Sequence, residues 1–587
     1  MAALLAAISC DLTETMQVDA DKAMIFGSET GLQTYSWSFY NALPSVDGAY
    51  YQESGKADYI SCNDMNEFLV SGGYTAETST SWSWTRLHNI NYFLDGLYSE
   101  DCTVPESVRA NYEGIARWFR AYFYFDKLAT YGPVPWFDRE IKNTEKDLMY
   151  KDRDSRDIII RHIIEDLDYA YENIAAKSSP GSSLVTKWTA AGLKSRACLF
   201  EASFRRYHNI TGMEYSDEDL YREAASAAKL VMDSGAYKLH TAAGKNGAYR
   251  DLFTSDETLT DEVMLAVCCD KDADVLSAAN RYFNSAATGN SCCLARSFVF
   301  TYLLKNGETF TSQSGYRLKQ FKDEFTDRDD RLAQTVRYPG YTRDGVAAPP
   351  DMVTQVAKTG YHIFKFSLDP KSYDSGTTNT NGTPIMRYAE ILLNYAEAVA
   401  ELGEMTDSEW AKTIGALRSR AGIRAGLTAK PTMLDSYMKD TFYPDITDPV
   451  IMEVRRERAV ELFFEGFRLR DLQRWASGRL IKELPWSGIH IPALDTPIDL
   501  DGNGTADVYF STSAASGTYR SIWVTVNKSE SGLWAVANPE GGYDLEHRLP
   551  GMREWYDDGR QYLYPIPAKV IRDYNAEGYT LTQNPNW

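Results

Sequence analysis

The chain has 587 residues, 44% of them hydrophobic and 24% charged, an ordinary globular balance with enough apolar material for a large buried core. Its formal net charge of −21 argues against a nucleic-acid ligand and against attachment to anionic lipid by charge alone. It contains no run of about 18 apolar residues, so no membrane-spanning helix is expected. Tyr outnumbers Phe, 39 to 24, which suggests aromatic surface that stays wet and can stack on polar ligands. Seven cysteines follow Cys10 without a CxxC pair, and the His residues are scattered, so buried free thiols are expected rather than a zinc site.

In chain order, MAALLAAISC is a short apolar run ending at Ile8-Ser9-Cys10. Small residues before a Cys resemble a bacterial lipobox, with Cys10 acylated after cleavage. No Lys or Arg precedes the run, which suggests a shortened signal; the other reading is a plain helix start. Residues 1–26 are therefore expected to be signal and tether, and 27–587 a single domain. Helices are expected at Gly31–Leu43, Trp82–Leu97 and Glu106–Tyr131, the last with Pro105 at its start and Gly132-Pro133 at its stop. Ser155–Ile174, Thr186–Tyr207 and Asp217–Asp233 follow, the last closing at Gly235. Tyr221 to Tyr237 reads like the second helix of a tetratricopeptide unit. Arg387–Glu404 reads like a first helix, with Trp410–Ala421 after it. The period of the repeat is broken by long insertions. The expected fold is mainly α: about four irregular helix pairs, within about 106–235 and 385–476, stacked as a short right-handed solenoid. The other half is loop-rich, with inserts at about 45–81, 239–383 and 485–560. It carries a few short strands, among them Glu262–Cys268 and Tyr519–Val526. Inserts of this length in a compact chain are usually functional or disordered, and their aromatic content argues against disorder.

Glu453–Trp475 is dense in both apolar and charged residues. Val460, Phe463, Phe464, Phe467 and Leu472 form an apolar stripe that favours a buried helical face. Glu457, Glu461 and Glu465 step by four, and Arg455, Arg458, Arg468 and Arg474 lie among them. Arginine beside every carboxylate suits a structural lattice better than a general acid. The pattern ERxxELxxEGxRxxDLxRW at Glu457–Trp475 resembles the late signature of the SusD/RagB family of outer-membrane nutrient-binding lipoproteins. Arg117–Phe137, Arg387–Glu404 and Tyr562–Trp587, which ends in Gln583-Asn584-Pro585, resemble three further signatures in the same order. A weaker one lies at Asp327–Gly340. The resemblance implies a tetratricopeptide-like scaffold and a ligand-binding half built from the inserts. It implies a lipid-anchored protein on the outer face of a Gram-negative outer membrane. There it would capture oligosaccharide or another nutrient for a SusC-like TonB-dependent transporter, without catalysis. The alternatives are a secreted glycoside hydrolase and a helical-repeat scaffold that binds only protein.

Asp499, Asp501, Asn503 and Gly504 match the spacing of a calcium loop, with Thr505 and Asp507 as further oxygen donors. Phe510 stands where such a loop carries its bidentate Glu, so structural calcium and a metal-free Asx-rich turn are both open readings. No cofactor is otherwise required. Glu390 and Glu397 share a helix face and are read as partners of Arg on a neighbouring helix. Serine-hydrolase, zinc-protease and nucleotide-binding motifs are absent from the sequence. A sugar site needs aromatic planes beside polar side chains. The loop before the second helix offers Asp58, Tyr59, Asn63, Asp64, Tyr74, Trp82 and Trp84. The long insert offers Asn280, Arg281, Tyr282, Asn284 and Asn290. Trp84 falls at helical spacing and is read as core.

Overall fold

The computed structural model describes residues 22–175, 181–514 and 517–587. Cys10 and most of the expected tether lie outside them. Helix α1 spans Glu29–Trp37 and continues as a 3₁₀ turn, Ser38–Ala42; α2 is Thr85–Gly96. The repeat helices follow: α3 Glu106–Tyr131, α4 Arg156–Asn173, α5 Lys187–Tyr207 and α6 Asp217–Ser234. After the long insert come α7 Tyr388–Glu401, α8 Asp407–Lys412, α9 Ile414–Arg420, α10 Pro449–Glu461 and α11 Arg468–Arg474. Local chemistry sets many of the ends. Thr186 and Ser216 each close a capping box with the residue three positions on, and Asp448 caps α10 ahead of Pro449. Gly235 ends α6 at φ 66°, a left-handed position that costs glycine nothing.

Each helix packs on the next, α3 on α4, α4 on α5, α5 on α6, and α6 on α7 across the insert; α10 covers α7 and α11 leans on α5. The close approach of α5 to α7 and the strand before it is written in Gly192, where a Cβ would sit 2.5 Å from the Met386 sulfur and 3.1 Å from Ile391 of α7. A buried Arg–carboxylate pair crosses most of these interfaces. Arg120 grips Asp166 through two bonds of 2.7 Å between α3 and α4, and Arg156 holds Glu201 between α4 and α5. Arg196 holds Glu390 between α5 and α7, and Arg474 holds Glu397 between α11 and α7. Planar two-pronged bonds fix angle as well as distance, which suits a stack whose apolar stripes alone would slide.

Among the described residues two large apolar cores and three small satellite clusters result. One lies among the repeat helices, around Trp118, Ile159, Leu193 and Leu393. The other fills the insert half, around Tyr59, Phe298, Phe463 and Trp486. Short strands stitch that half together. Ile60–Ser61 pairs antiparallel with Cys293–Leu294, joining the first insert to the second. Val263–Val267 pairs antiparallel with Thr383–Arg387, which runs directly into α7. Tyr543–Arg548 is the middle strand between Gly532–Ala537 and Trp486–Ile491.

Three local expectations change. Glu453–Trp475 is two helices, α10 and α11, separated by a bend with Phe464 at φ 62° and Gly466 at φ 90°. The bend is held from far away: the Glu53 carboxylate accepts the backbone N–H groups of Phe464, Gly466, Phe467 and Arg468 at 2.9–3.1 Å. Trp410–Ala421 is likewise split at Thr413 into α8 and α9. Of Tyr519–Val526, only Trp523–Thr525 is strand, paired parallel to Val508–Ser511, while Gly517–Ser521 is a 3₁₀ turn.

Candidate ligand cleft

The bend after α10 sits at the centre of the charge lattice. The Glu461 carboxylate receives Arg331 at 2.8 Å, Arg387 at 2.6 Å and Arg420, all buried. Glu262 meets Arg387 and Arg420, Glu465 meets Arg387 and Lys365, and Glu457 meets Arg331 and Arg418. Burial works to raise the pKa of Glu461. The charges of Arg420, Arg387 and Arg331 more than reverse this and hold it well below the carboxylate range. Glu461 is thus held charged within its ring of arginines.

Between this lattice, the repeat helices and the first two inserts lies an open cleft of about 910 Å³. Tyr122, Asp126 and Arg196 come to it from α3 and α5, Phe467 and Arg470 from the bend and α11, and Tyr51 and Lys56 from the first insert. Tyr282 of the second insert stacks on Tyr51, ring centroids 5.4 Å apart at 29°. This pair forms a wall. On its other side lies a depression of about 270 Å³, bordered by Asp47, Tyr50 and Arg281. Tyr51 is 38% exposed.

The wall is braced by short polar contacts. The Tyr282 hydroxyl donates to Ser54, and the Asn290 amide donates to Ser54 Oγ at 2.9 Å and to the Asp64 carbonyl at 2.8 Å. Asn290 in turn accepts the Asp64 N–H at 2.8 Å, and Asn63 donates to Ser291. Burial, then the neighbouring Cys292 thiol, pushes the Tyr282 hydroxyl pKa up, so it stays a neutral donor. The two loops expected to supply ligand residues thus meet at Tyr51, Asn63, Asp64, Tyr282 and Asn290, with Arg281 alongside.

The remaining expected site residues lie elsewhere. Asp58 is fully buried and forms two 2.7 Å bonds with Arg468; Tyr59 is buried and donates to Glu53. Both serve the α10–α11 bend and cannot reach a ligand. Trp82 is buried against Tyr131 and Trp84, so it belongs to the repeat core. Trp84 also packs there, edge-on to Phe137. Tyr74 is half-buried, its ring edge against Phe68 and Tyr564 and its hydroxyl bonded to Ser79. Asn280 is buried, and Asn284 spans Asp374 and Arg337. These two amides tie the second insert together. Tyr51, Lys56 and Arg470 were not read from the sequence. Tyr51 lay inside the expected first insert, but nothing local separates it from Tyr50, which is buried.

The Asp499–Asp507 loop brings carboxylate oxygens of Asp499, Asp501 and Asp507 within 4.8 Å of one another. Asp499 accepts the N–H groups of Gly502, Asn503 and Gly504, and Asp507 accepts that of Leu500. Asn503 bonds to Asp501 and accepts from Thr505 N–H. All seven cysteines among the described residues are free thiols, and none of the described helices is long and apolar enough to cross a membrane.

Comparison with known proteins identifies the architecture. The model of the SusD family matches residues 261–587, which is more than half of the chain. The chain belongs to the SusD family. A SusD-like protein from Bacteroides fragilis superposes with a TM-score of 0.68 at 20% identity, covering 98% of this chain and 99% of its own. A SusD-like carbohydrate binding protein from the same species gives the same TM-score at 19% identity, covering 94% and 99%. Among sequence relatives, SusD-like protein P38 of Formosa agariphila is 24% identical over 416 residues, 69% of this chain and 74% of its own length. The SusD fold therefore spans nearly the whole molecule, including the first insert, which lies outside the matched segment.

Proposed function

We propose that this SusD-family chain is a non-catalytic, lipid-anchored protein of the outer-membrane surface. It captures oligosaccharide on the Tyr51–Tyr282 wall and passes it to a SusC-like TonB-dependent transporter. The observation that carries the reading is the convergence of two inserts on stacked, partly exposed tyrosines above a cleft of about 910 Å³. Sugar rings present C–H faces that stack on aromatic planes, and their hydroxyl edges need nearby amides and charges. Lys56 and Arg470 supply charge within the same cleft, and Asn290, whose amide hydrogens are both used, supplies a carbonyl oxygen. The relative described as carbohydrate binding supports the ligand class. Delivery to a transporter and anchoring through Cys10 rest on family membership. The Asp499–Asp507 loop is proposed as a calcium seat that braces the third insert and takes no part in capture.

The absence of catalysis is part of the proposal. Glycoside hydrolysis needs two carboxylates about 5–9 Å apart with one kept protonated. Of the buried carboxylates bordering this cleft, Glu465 is paired with Arg387 and Lys365 and Asp471 with Arg458 and Arg474, while Glu53 is held by four backbone N–H groups and the Tyr59 hydroxyl instead, burial raising its pKa to about 7. A glycan array with the wild-type chain, repeated with Tyr51→Ala and Tyr282→Ala, tests the reading. Binding of a glycan class that both variants weaken is expected, with no release of reducing ends. Release of reducing ends would replace the proposal with the hydrolase reading. Binding unaffected by either variant would remove the wall from it.

A further inference from the structure

The cleft floor has a chemical character that the acidic chain as a whole lacks. Lys56 is half-buried there, and its Nζ has no hydrogen-bond or ion-pair partner among the described residues. Arg470 borders the same space. One of its terminal nitrogens is used, reaching Asp126 at 3.1 Å and Thr130 at 2.8 Å. The other, Nη1, is buried with no partner. Gln473 donates its amide N–H to the Gln561 carbonyl, while its Oε1 is buried and unpartnered. Buried polar atoms without partners are rare in native proteins, and each calls for a ligand or water to complete it. Here a partnerless ammonium borders the cleft, and two buried polar atoms without partners, one on a guanidinium and one on an amide, belong to residues that line it. Burial, then the charge of Arg470, lowers the pKa of Lys56, and Asp126 opposes this only in part.

Resting on the capture reading above, we infer that the cleft selects a saccharide carrying a carboxylate, the anion seated between Lys56 and Arg470 and a neighbouring hydroxyl donated to Gln473. A uronic acid has this pattern: a carboxylate on a pyranose ring whose adjacent hydroxyls are donors and whose C–H face can lie on Tyr51 or Tyr282. A neutral sugar would leave the Arg470 nitrogen and the Lys56 ammonium unmatched. Charge-assisted hydrogen bonds are about twice as strong as neutral ones, so one such contact is worth roughly ten-fold in affinity.

The test uses the full chain and amine acylation at neutral pH, read residue by residue by mass spectrometry. The probes are sodium glucuronate, its methyl ester and glucose at matched concentration. Glucuronate is expected to protect Lys56 at roughly ten-fold lower concentration than the ester or glucose, the worth of one charge-assisted contact. The exposed Lys569 should acylate equally under all conditions. Protection should disappear in Arg470→Met, and Lys56→Met should weaken glucuronate binding followed by saturation-transfer NMR. Equal protection by acid, ester and glucose would overturn the carboxylate assignment while leaving sugar capture standing. Protection by glucuronate together with an empty glycan array would sink capture and keep the anion seat. A free-carboxylate dipeptide protecting better than glucuronate would show a peptide site instead and overturn the saccharide assignment. No protection by any probe would overturn it outright.

Discussion

Replacing Glu461 by Gln asks most directly what locks the helical stack. The carboxylate is buried and receives three guanidinium groups, from Arg331, Arg387 and Arg420. Those arginines arrive from three different places: the second insert, the strand before α7, and α9. The substitution keeps shape and volume and removes one negative charge. Arg331 then keeps Asp329 and Glu457 and Arg387 keeps Glu465, but Arg420 is left with Glu262 alone, which it shares with Arg387. Leaving a buried charge uncompensated costs about 3–5 kcal/mol, several times the worth of an exposed pair. The paired control is Asp573→Asn, which breaks an exposed contact with Lys569 on the last helix. Urea unfolding followed by tryptophan fluorescence should show the midpoint of Glu461→Gln falling well below wild type with an unchanged slope. The control should be indistinguishable from wild type. A slope change would signal loss of two-state behaviour and move the comparison to unfolding rates. If both variants unfold together with wild type, the lattice is ornamental and apolar packing alone sets the stack.

Acid should dismantle the same lattice. For Glu397, burial raises the pKa, but Arg474 with its hydrogen bonds, then Arg458 and Arg455, lower it from 4.5 to about 2. A carboxylate depressed in the folded state stabilises above its unfolded value and loses that contribution as pH falls toward the folded one. Glu397 should therefore contribute on the order of 3 kcal/mol that vanishes between pH 4.5 and about 2. Unfolding midpoints measured across that window should drop steeply in wild type and more gently in Glu397→Gln. Tyr282→Ala and Tyr51→Ala should each weaken glycan binding by about 0.5–1.5 kcal/mol in calorimetry, the range of a stacked aromatic contact, without lowering thermal stability in proportion. Calcium should slow proteolytic cutting within Asp499–Asp507, and Asp501→Asn should abolish that protection. Equal cutting rates with calcium and with chelator would leave the loop as a metal-free turn.

Much of the scaffold was legible because its signals are local. Ser155, Thr186 and Ser216 are recognisable helix starts, and Gly235 a recognisable stop. Glu390 and Glu397, read as partners of arginines on neighbouring helices, meet Arg196 and Arg474. The failures share a cause. The apolar period runs through Phe463, Phe464 and Phe467, yet the chain bends there because Glu53 takes the backbone donors that a continuous helix would use itself. No window around Phe464 contains that information. Asp58 and Tyr59 looked like ligand residues for a related reason. A polar side chain in an aromatic loop reads as surface until its partner is known, and Arg468 is 410 positions away. Lys56 and Arg470 stood out in neither segment, since each is one cation among many.

The reach of Glu53 has a further consequence for how this molecule is made. A ribosome completes Glu53 and Asp58 long before it polymerises Phe464 to Arg468, so the early loop must wait, its carboxylates solvated, for the distal bend to emerge. Closure there is among the most non-local events in the chain and belongs late in folding. A recombinant piece limited to residues 261–587 would inherit four unclaimed amides and a guanidinium without its aspartate, and would have no native way to finish its own most recognisable motif.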